Sequence, residues 1–417
     1  MRIFIMASAL LLILPVSVWA EDKTLKQELE RLKTTVEETQ GVVQKQAETI
    51  GTQEKRIREI EATRGAGQKP VQTTQIPAPT LTQATQGLQA FNPEIGVVGD
   101  IVGSLSENSA DTEGNDKLSV RELELIFGHP VDPYSRFDVT ISFSDFEDAT
   151  VEEAYLTHWG LPWGIKGRLG RIRPKIGKTS AIHRDQLDTV DDPLVVQKYL
   201  GTEGLFRTAA ELSTVFPSPW PNVTYEVTAG VMEGGVGDNG TLFGSTRRIP
   251  SFYMHLKKFW DISDTSNLEF GGTYLVGSKD GDSELEVDTL GLDATLIYYF
   301  TPTNKFKFQN EAYFQHRDET NPAVGNTPWG LYSLVDYRLS PRFGVGGRFD
   351  YVEPVDNLAM SPRDADIGVA GYLTFYQSEF ARWRVQYEHE EFAAGDNDER
   401  VFLQGTVAIG VHKHQLQ

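Results

Sequence analysis

Four aspartates, Asp185, Asp188, Asp191 and Asp192, crowd one stretch of the chain at 176–205. Carboxylates at that density can bind a cation, set an electric field across an opening, or coat a solvated loop. The basic side chains that could face them lie far away in sequence: Lys166 and Arg168 before the stretch, then Arg338, Arg348, Arg382 and Arg384. Acids and bases opposed across a narrow, water-filled section would orient dipolar solutes and admit ions of both signs. His183 stands just ahead of the aspartates and could join them on a cation, but a solvated acidic loop is the plainer reading. His412 and His414 share a strand face, yet two ligands do not make a metal site. Gly177-Lys178-Thr179 is the tail of a phosphate-loop motif, but Ile172 stands where its first glycine is required. No serine, histidine and carboxylate arrangement stands out. The expectation is therefore a protein that is not an enzyme, with no metal and no cofactor.

The elements that must position these residues are strands. From 91 onward apolar residues recur every second position. Leu290, Leu292, Ala294 and Leu296 alternate with Asp293 and Thr295. Phe343, Val345, Phe349 and Tyr351 oppose Arg348 and Asp350. Trp383, Val385 and Tyr387 oppose Arg382, Arg384, Gln386 and Glu388. About sixteen such segments can be counted between 95 and 411. This predicts an all-β fold: a transmembrane antiparallel β-barrel of about sixteen strands. Three features favour a membrane over a soluble sandwich. Charges recur on the polar face of nearly every strand. Aromatics gather at strand ends, among them Tyr155, Trp159, Trp163, Tyr298, Phe300, Trp329 and Trp383, as interfacial girdles require. Sixteen strands also enclose a space too wide for side chains to fill.

The stretch 176–205 does not alternate and is too long for a hairpin turn. It follows the fifth strand, which makes it the third long connection if the N-terminus is periplasmic. It is expected to fold into the lumen and narrow it. Leu194, Val195 and Val196 would pack it to the wall.

Ahead of the barrel the chain changes character twice. Residues 1–20 read as a signal peptide: Arg2, an apolar run, then Val18-Trp19-Ala20 as a cleavage site. In 21–62, Leu29, Val36, Val43, Ile50 and Ile57 recur every seventh position. That column, with Leu25, Leu32 and Ile60 beside it, predicts an N-terminal α-helical coiled coil in the periplasm. Residues 63–90 are rich in Pro, Gln and Thr and read as a linker. No cysteine occurs in the 417 residues, and the net charge is −20. An exported chain without disulfides fits a bacterial envelope, and the acidity argues against nucleic-acid binding.

The segment from Gly167 carries GRLGRIRPKIGK, then His183, Asp191-Asp192-Pro193-Leu194 and Leu200-Gly201-Thr202-Glu203-Gly204-Leu205. With the coiled coil, linker and barrel, it resembles porins of the phosphate-selective porin superfamily. It is similar to a subgroup often labelled zinc-regulated TonB-dependent receptors. No plug domain lies between the coiled coil and the barrel, which sets the chain apart from such receptors. The final residues also lack the terminal aromatic usual in outer-membrane barrels. The resemblance implies an outer-membrane location, homotrimers and an inward third loop. The expected activity is passive diffusion of small hydrophilic solutes or ions. The alternative is an envelope tether, with the coiled coil reaching toward peptidoglycan, or a substrate-specific receptor that uses the barrel as an anchor.

Overall fold

The computed structural model describes residues 93–107, 117–145, 149–234, 242–243, 249–279, 284–319, 327–355 and 363–410. All belong to the unit Leu81–Gln417. The expected signal peptide, coiled coil and linker lie outside the described residues, as do His412 and His414.

Sixteen strands form the unit. They are β1 Glu94–Ser106, β2 Lys117–Asp132, β3 Ser135–Phe143, β4 Thr150–His158, β5 Lys166–Ile172, β6 Arg207–Pro217, β7 Val223–Met232 and β8 Ser251–Ser263. Then come β9 Ser266–Ser278, β10 Glu286–Tyr299, β11 Lys305–Arg317, β12 Trp329–Arg338, β13 Phe343–Val352, β14 Asp366–Ser378, β15 Ala381–Glu391 and β16 Asn397–Gly410. Each pairs antiparallel with its chain neighbours, and β1 pairs with β16, so the sheet closes. Closure leaves no edge strand with unpaired backbone groups.

Alternation places side chains, and here it runs inside out. On β15, Arg384 and Glu388 are at most 1 % exposed, while Val385 between them is 50 % exposed. On β10, Leu290 and Leu292 face outward and Thr289, Asp293 and Thr295 are buried. The same inversion holds on β13, β14 and β16. A soluble barrel would point its apolar face inward. An apolar band around the outside, continuous from strand to strand, is the surface that lipid covers. No described helix is long and apolar enough to cross a membrane, which says nothing about crossing by strands.

The strand limits divide the connections by length. At one end lie 133–134, 159–165, 218–222, 264–265, 300–304, 339–342 and 379–380. The other end carries most of the longer ones, the longest being 173–206 between β5 and β6. Trp159, Trp163, Trp220, Phe300 and Phe380 are exposed beside the short turns. They form the aromatic girdle expected at strand ends.

Five register shifts interrupt the pairing; three lie beside short turns, and the other two are on β2 and β4. On β2 the register jumps from Asp100–Glu122 to Ile101–Val120, so Arg121 is an extra residue. On β4 it jumps from Thr140–Glu153 to Ile141–Val151, so Glu152 is extra. A bulge breaks the two-residue period and re-aims a side chain. Glu152 and Glu153 are in consequence both buried, although they are adjacent in sequence.

Candidate functional site

The connection 173–206 makes contacts on opposite sides of the ring. Thr179 Oγ1 lies 2.5 Å from Tyr332 OH on β12. Four residues later, His183 Nε2 lies 3.1 Å from Glu153 Oε2 on β4. In a closed ring of sixteen, β4 and β12 stand diametrically opposed. The connection therefore crosses the lumen.

Its backbone is held largely by polar side chains of the wall. The N–H groups of Lys178 and Thr179 donate to the Glu311 carboxylate on β11 at 3.0 and 3.2 Å. Gly177 N–H donates to Thr273 Oγ1 on β9 at 3.0 Å. Arg384 on β15 donates to the carbonyls of Leu187 and Thr189 at 2.9 and 2.6 Å. Gln386 accepts from Val190 N–H, and Asp350 on β13 accepts from Leu194 N–H. A loop with no strand partner must satisfy its backbone this way or through water.

An apolar side completes the attachment. Ile176, Leu194, Val195, Val196, Tyr199, Leu200 and Leu205 are almost wholly buried. They share one cluster with Tyr253, Leu275, Tyr313, Tyr332 and Val352 of the wall. Residues Leu194–Tyr199 form a short helix, α1, which begins after Pro193. Proline lacks an N–H and has a fixed φ, so it costs little at a helix start. Leu242 and Phe243, from the connection between β7 and β8, belong to the same cluster.

The four aspartates meet different partners. Asp188 pairs with Lys307 on β11. Asp191 accepts from Arg348 Nη2 at 2.9 Å and from Gln386 Nε2 at 2.7 Å. Burial pushes both carboxyls up, but the adjacent Lys307 and Arg348 outweigh it and hold each below the ordinary value. Asp192 is pushed up to about 6, chiefly by burial, against the pull of Arg184 and Arg173. Asp185 is buried in a single turn, Arg184–Gln186.

The six basic residues divide into two sets. Arg348 contacts the loop and also donates to Asp350 at 2.5 Å and Glu388 at 3.0 Å. Arg384 holds loop carbonyls, as described. Arg382 is buried beside them, with Nε and Nη2 lacking a hydrogen-bond partner among the described residues. These three stand on β13 and β15, with the aspartates. The second set is elsewhere. Arg168 donates to Glu211 at 2.7 Å and to the carbonyl of Arg173. Lys166 is half-buried at the start of β5. Arg338 donates to the carbonyls of Ser340 and Pro341 in a short turn and stacks 3.4 Å from the Tyr376 ring centroid.

Alternation alone does not reveal two features. One is the set of glutamates around His183, which is buried. Its Nδ1 lies 3.2 Å from Glu124 Oε1 and 3.6 Å from Glu152 Oε2. Burial and Arg173 push the imidazole down, yet the glutamates outweigh them and raise it well above its ordinary value. The neighbours of His183 thus include glutamates of β2 and β4. The adjacent charges Arg121-Glu122 and Glu152-Glu153 are the sequence signal, since neither fits a two-residue period. The second feature is Glu311 as the anchor of the Gly177 turn, which no local pattern marks.

No family model matches the chain. An uncharacterized protein of Aquifex aeolicus is 26 % identical over 322 residues, covering 69 % of this chain and 68 % of that one. Among solved structures, OprB of Pseudomonas putida, in its high-pH form, superposes with a TM-score of 0.54 at 12 % identity. That match covers 78 % of this chain and 96 % of OprB. An anion-selective porin from Comamonas acidovorans superposes with a TM-score of 0.51 at 11 % identity, over 76 % of this chain and all of that one. The fold is therefore that of a sixteen-stranded outer-membrane porin barrel.

Proposed function

We propose that the chain forms a water-filled channel in an outer membrane and passes small hydrophilic solutes or ions by passive diffusion. The observation that carries this reading is the inverted barrel: apolar outside, charged inside, and crossed by one long connection. An interior lined with buried Arg, Glu and Asp has use for water, and a constriction selects by size and field. Residues 173–206 narrow the lumen and carry Asp185, Asp188, Asp191 and Asp192, with Arg348, Arg382 and Arg384 of the wall against the loop. Asp188 and Asp191 are ion-paired, so the constriction presents dipoles more than a net charge. Lys166, Arg168 and Arg338 shape the lumen away from that section. The resemblance to the phosphate-selective porin superfamily and the porin barrel support an outer-membrane homotrimer with its N-terminal segment in the periplasm. Planar-bilayer recording on refolded protein tests the channel. Discrete conductance steps are expected, and their absence from correctly folded barrel sinks the reading.

One observation favours a second reading. The loop is packed to the wall by seven nearly inaccessible apolar side chains, more like a plug than a rim. A substrate-specific receptor, or an envelope tether bound to peptidoglycan through the coiled coil, needs no standing conductance. Removing 21–62 leaves conductance unchanged in a channel and abolishes cell-wall retention in a tether.

A further inference from the structure

The structure assigns a divalent transition-metal site to His183, Glu124 and Glu152, where the long connection meets β2 and β4. One ligand atom from each residue can be chosen so that all lie within 4.8 Å of one another, and all three residues are buried. From His183 Nδ1 the carboxylate oxygens stand at 3.2 and 3.6 Å. Two ligands on a tetrahedral ion, with bonds of ~2.0–2.2 Å, would be separated by about 3.3–3.5 Å. Both spacings from His183 match that geometry, and the two carboxylate oxygens lie within 4.8 Å of each other.

Three further observations point to an ion. First, Glu152 is 5 % exposed, and its Oε2 has no hydrogen-bond partner among the described residues. His183 Nδ1 and Arg173 Nη2 each stand 3.6 Å from that atom, and carboxylate oxygens of Glu122 and Glu203 also gather within 4.8 Å of a Glu152 oxygen. Second, the other imidazole nitrogen is already oriented. Nε2 faces Glu153 Oε2 at 3.1 Å. A ligating histidine almost always gives its second N–H to such a group, which fixes the tautomer and leaves the first nitrogen's lone pair for the metal. Third, the charge is unbalanced. Glu122, Glu124, Glu152 and Glu153 are all buried here, while the Arg173 guanidinium stands 3.6 Å from Glu152 and the Arg173 backbone N–H donates to Glu153. A buried excess of carboxylate must take up protons or a cation. The ion would stand where Nδ1 otherwise carries a proton.

One nitrogen and two carboxylates suit a first-row divalent ion better than calcium or magnesium, which take oxygen ligands in greater number. The bulge at Glu152 matters, because regular alternation would turn one of the adjacent glutamates out of the lumen. The site would tie the connection 173–206 to the wall, whether or not the barrel conducts.

The test is equilibrium dialysis of the folded full chain, carrying His412→Ala and His414→Ala, against Co2+ in metal-free buffer. Visible spectra report the coordination. Retention of the barrel on unheated gels reports folding. One Co2+ per chain with intense ligand-field bands is expected, and excess Ca2+ or Mg2+ should not displace it. Glu152→Gln and His183→Asn should each lower affinity at least tenfold. Glu153→Gln should weaken it about 10–100-fold while the bands persist. The proposal is overturned if folded protein binds no Co2+, if binding survives both ligand substitutions, or if Ca2+ competes equally. The first of these outcomes needs no substitution within the site and does not depend on any site variant folding.

Discussion

Gly177 sits so close to Glu311 that a Cβ on it would fall 1.8 Å from Oε1 and 2.3 Å from Tyr313 OH. Its φ is +56°, in the region that side chains disfavour. The turn it makes aims the N–H groups of Lys178 and Thr179 at the same carboxylate. Gly177→Ala therefore costs about 1–2 kcal/mol in backbone conformation and displaces hydrogen bonds worth about 1.5–3 kcal/mol each. The expected result is an intact barrel whose long connection is loosened. Amide exchange at Lys178 and Thr179 should accelerate by at least tenfold, and unchanged protection would refute the role given to this turn.

Arg348 holds three carboxylates at once: Asp191 of the loop, Asp350 of its own strand and Glu388 of β15. Its side chain is wholly buried. Removing one partner of a buried ion pair typically costs ~3–5 kcal/mol, because the other charge stays behind unpaired. Arg348→Met should lower the temperature at which the barrel unfolds on semi-native gels. Adding Asp350→Asn and Glu388→Gln should recover much of the loss. A single substitution without effect would mean that water already solvates the cluster.

The barrel was legible because alternation is a local signal. Arg382, Arg384, Gln386 and Glu388 all face inward as their period requires, and each counted strand has its counterpart. The apolar Leu194–Val196 run likewise packs to the wall. Other features depend on chain segments that alternation does not relate. Thr179 and His183 reach opposite walls because of the loop's path, which no period encodes. Glu152 faces the lumen through a bulge, and a bulge appears in sequence only as two adjacent charges. Arg338 is inward by phase, yet its height puts it at a short turn, and phase carries no height.

Asp188 and Lys307 form a pair at the loop's far side, each partly accessible. Neutralising one leaves the other to act on permeant ions. Lys307→Gln should shift the reversal potential in a salt gradient toward cation preference, and Asp188→Asn toward anion preference. The double variant should return close to wild type. A unit charge about 4 Å away in water is worth about 1 kcal/mol, or a few-fold in permeability ratio. Shifts of the same sign in both single variants would show that loop displacement, not field, controls passage.

Asp192 makes stability depend on pH in the direction opposite to its neighbours. Its folded value is about 6 against an ordinary 3.8, chiefly because it is buried. The folded state thus keeps a proton that the unfolded chain releases above about pH 4. The stabilising contribution is full below that pH and is lost as pH rises through 6. Asp192→Asn removes the loss and should raise stability at pH 7 by up to about 3 kcal/mol. Asp188 and Asp191, held below 3.8, act in the other sense, but only in more acidic solution. The difference in barrel melting between wild type and Asp192→Asn, followed from pH 4.5 to 7.5, isolates Asp192. Wild type should lose stability across this window relative to Asp192→Asn, and parallel curves would show that the carboxyl is ionised throughout.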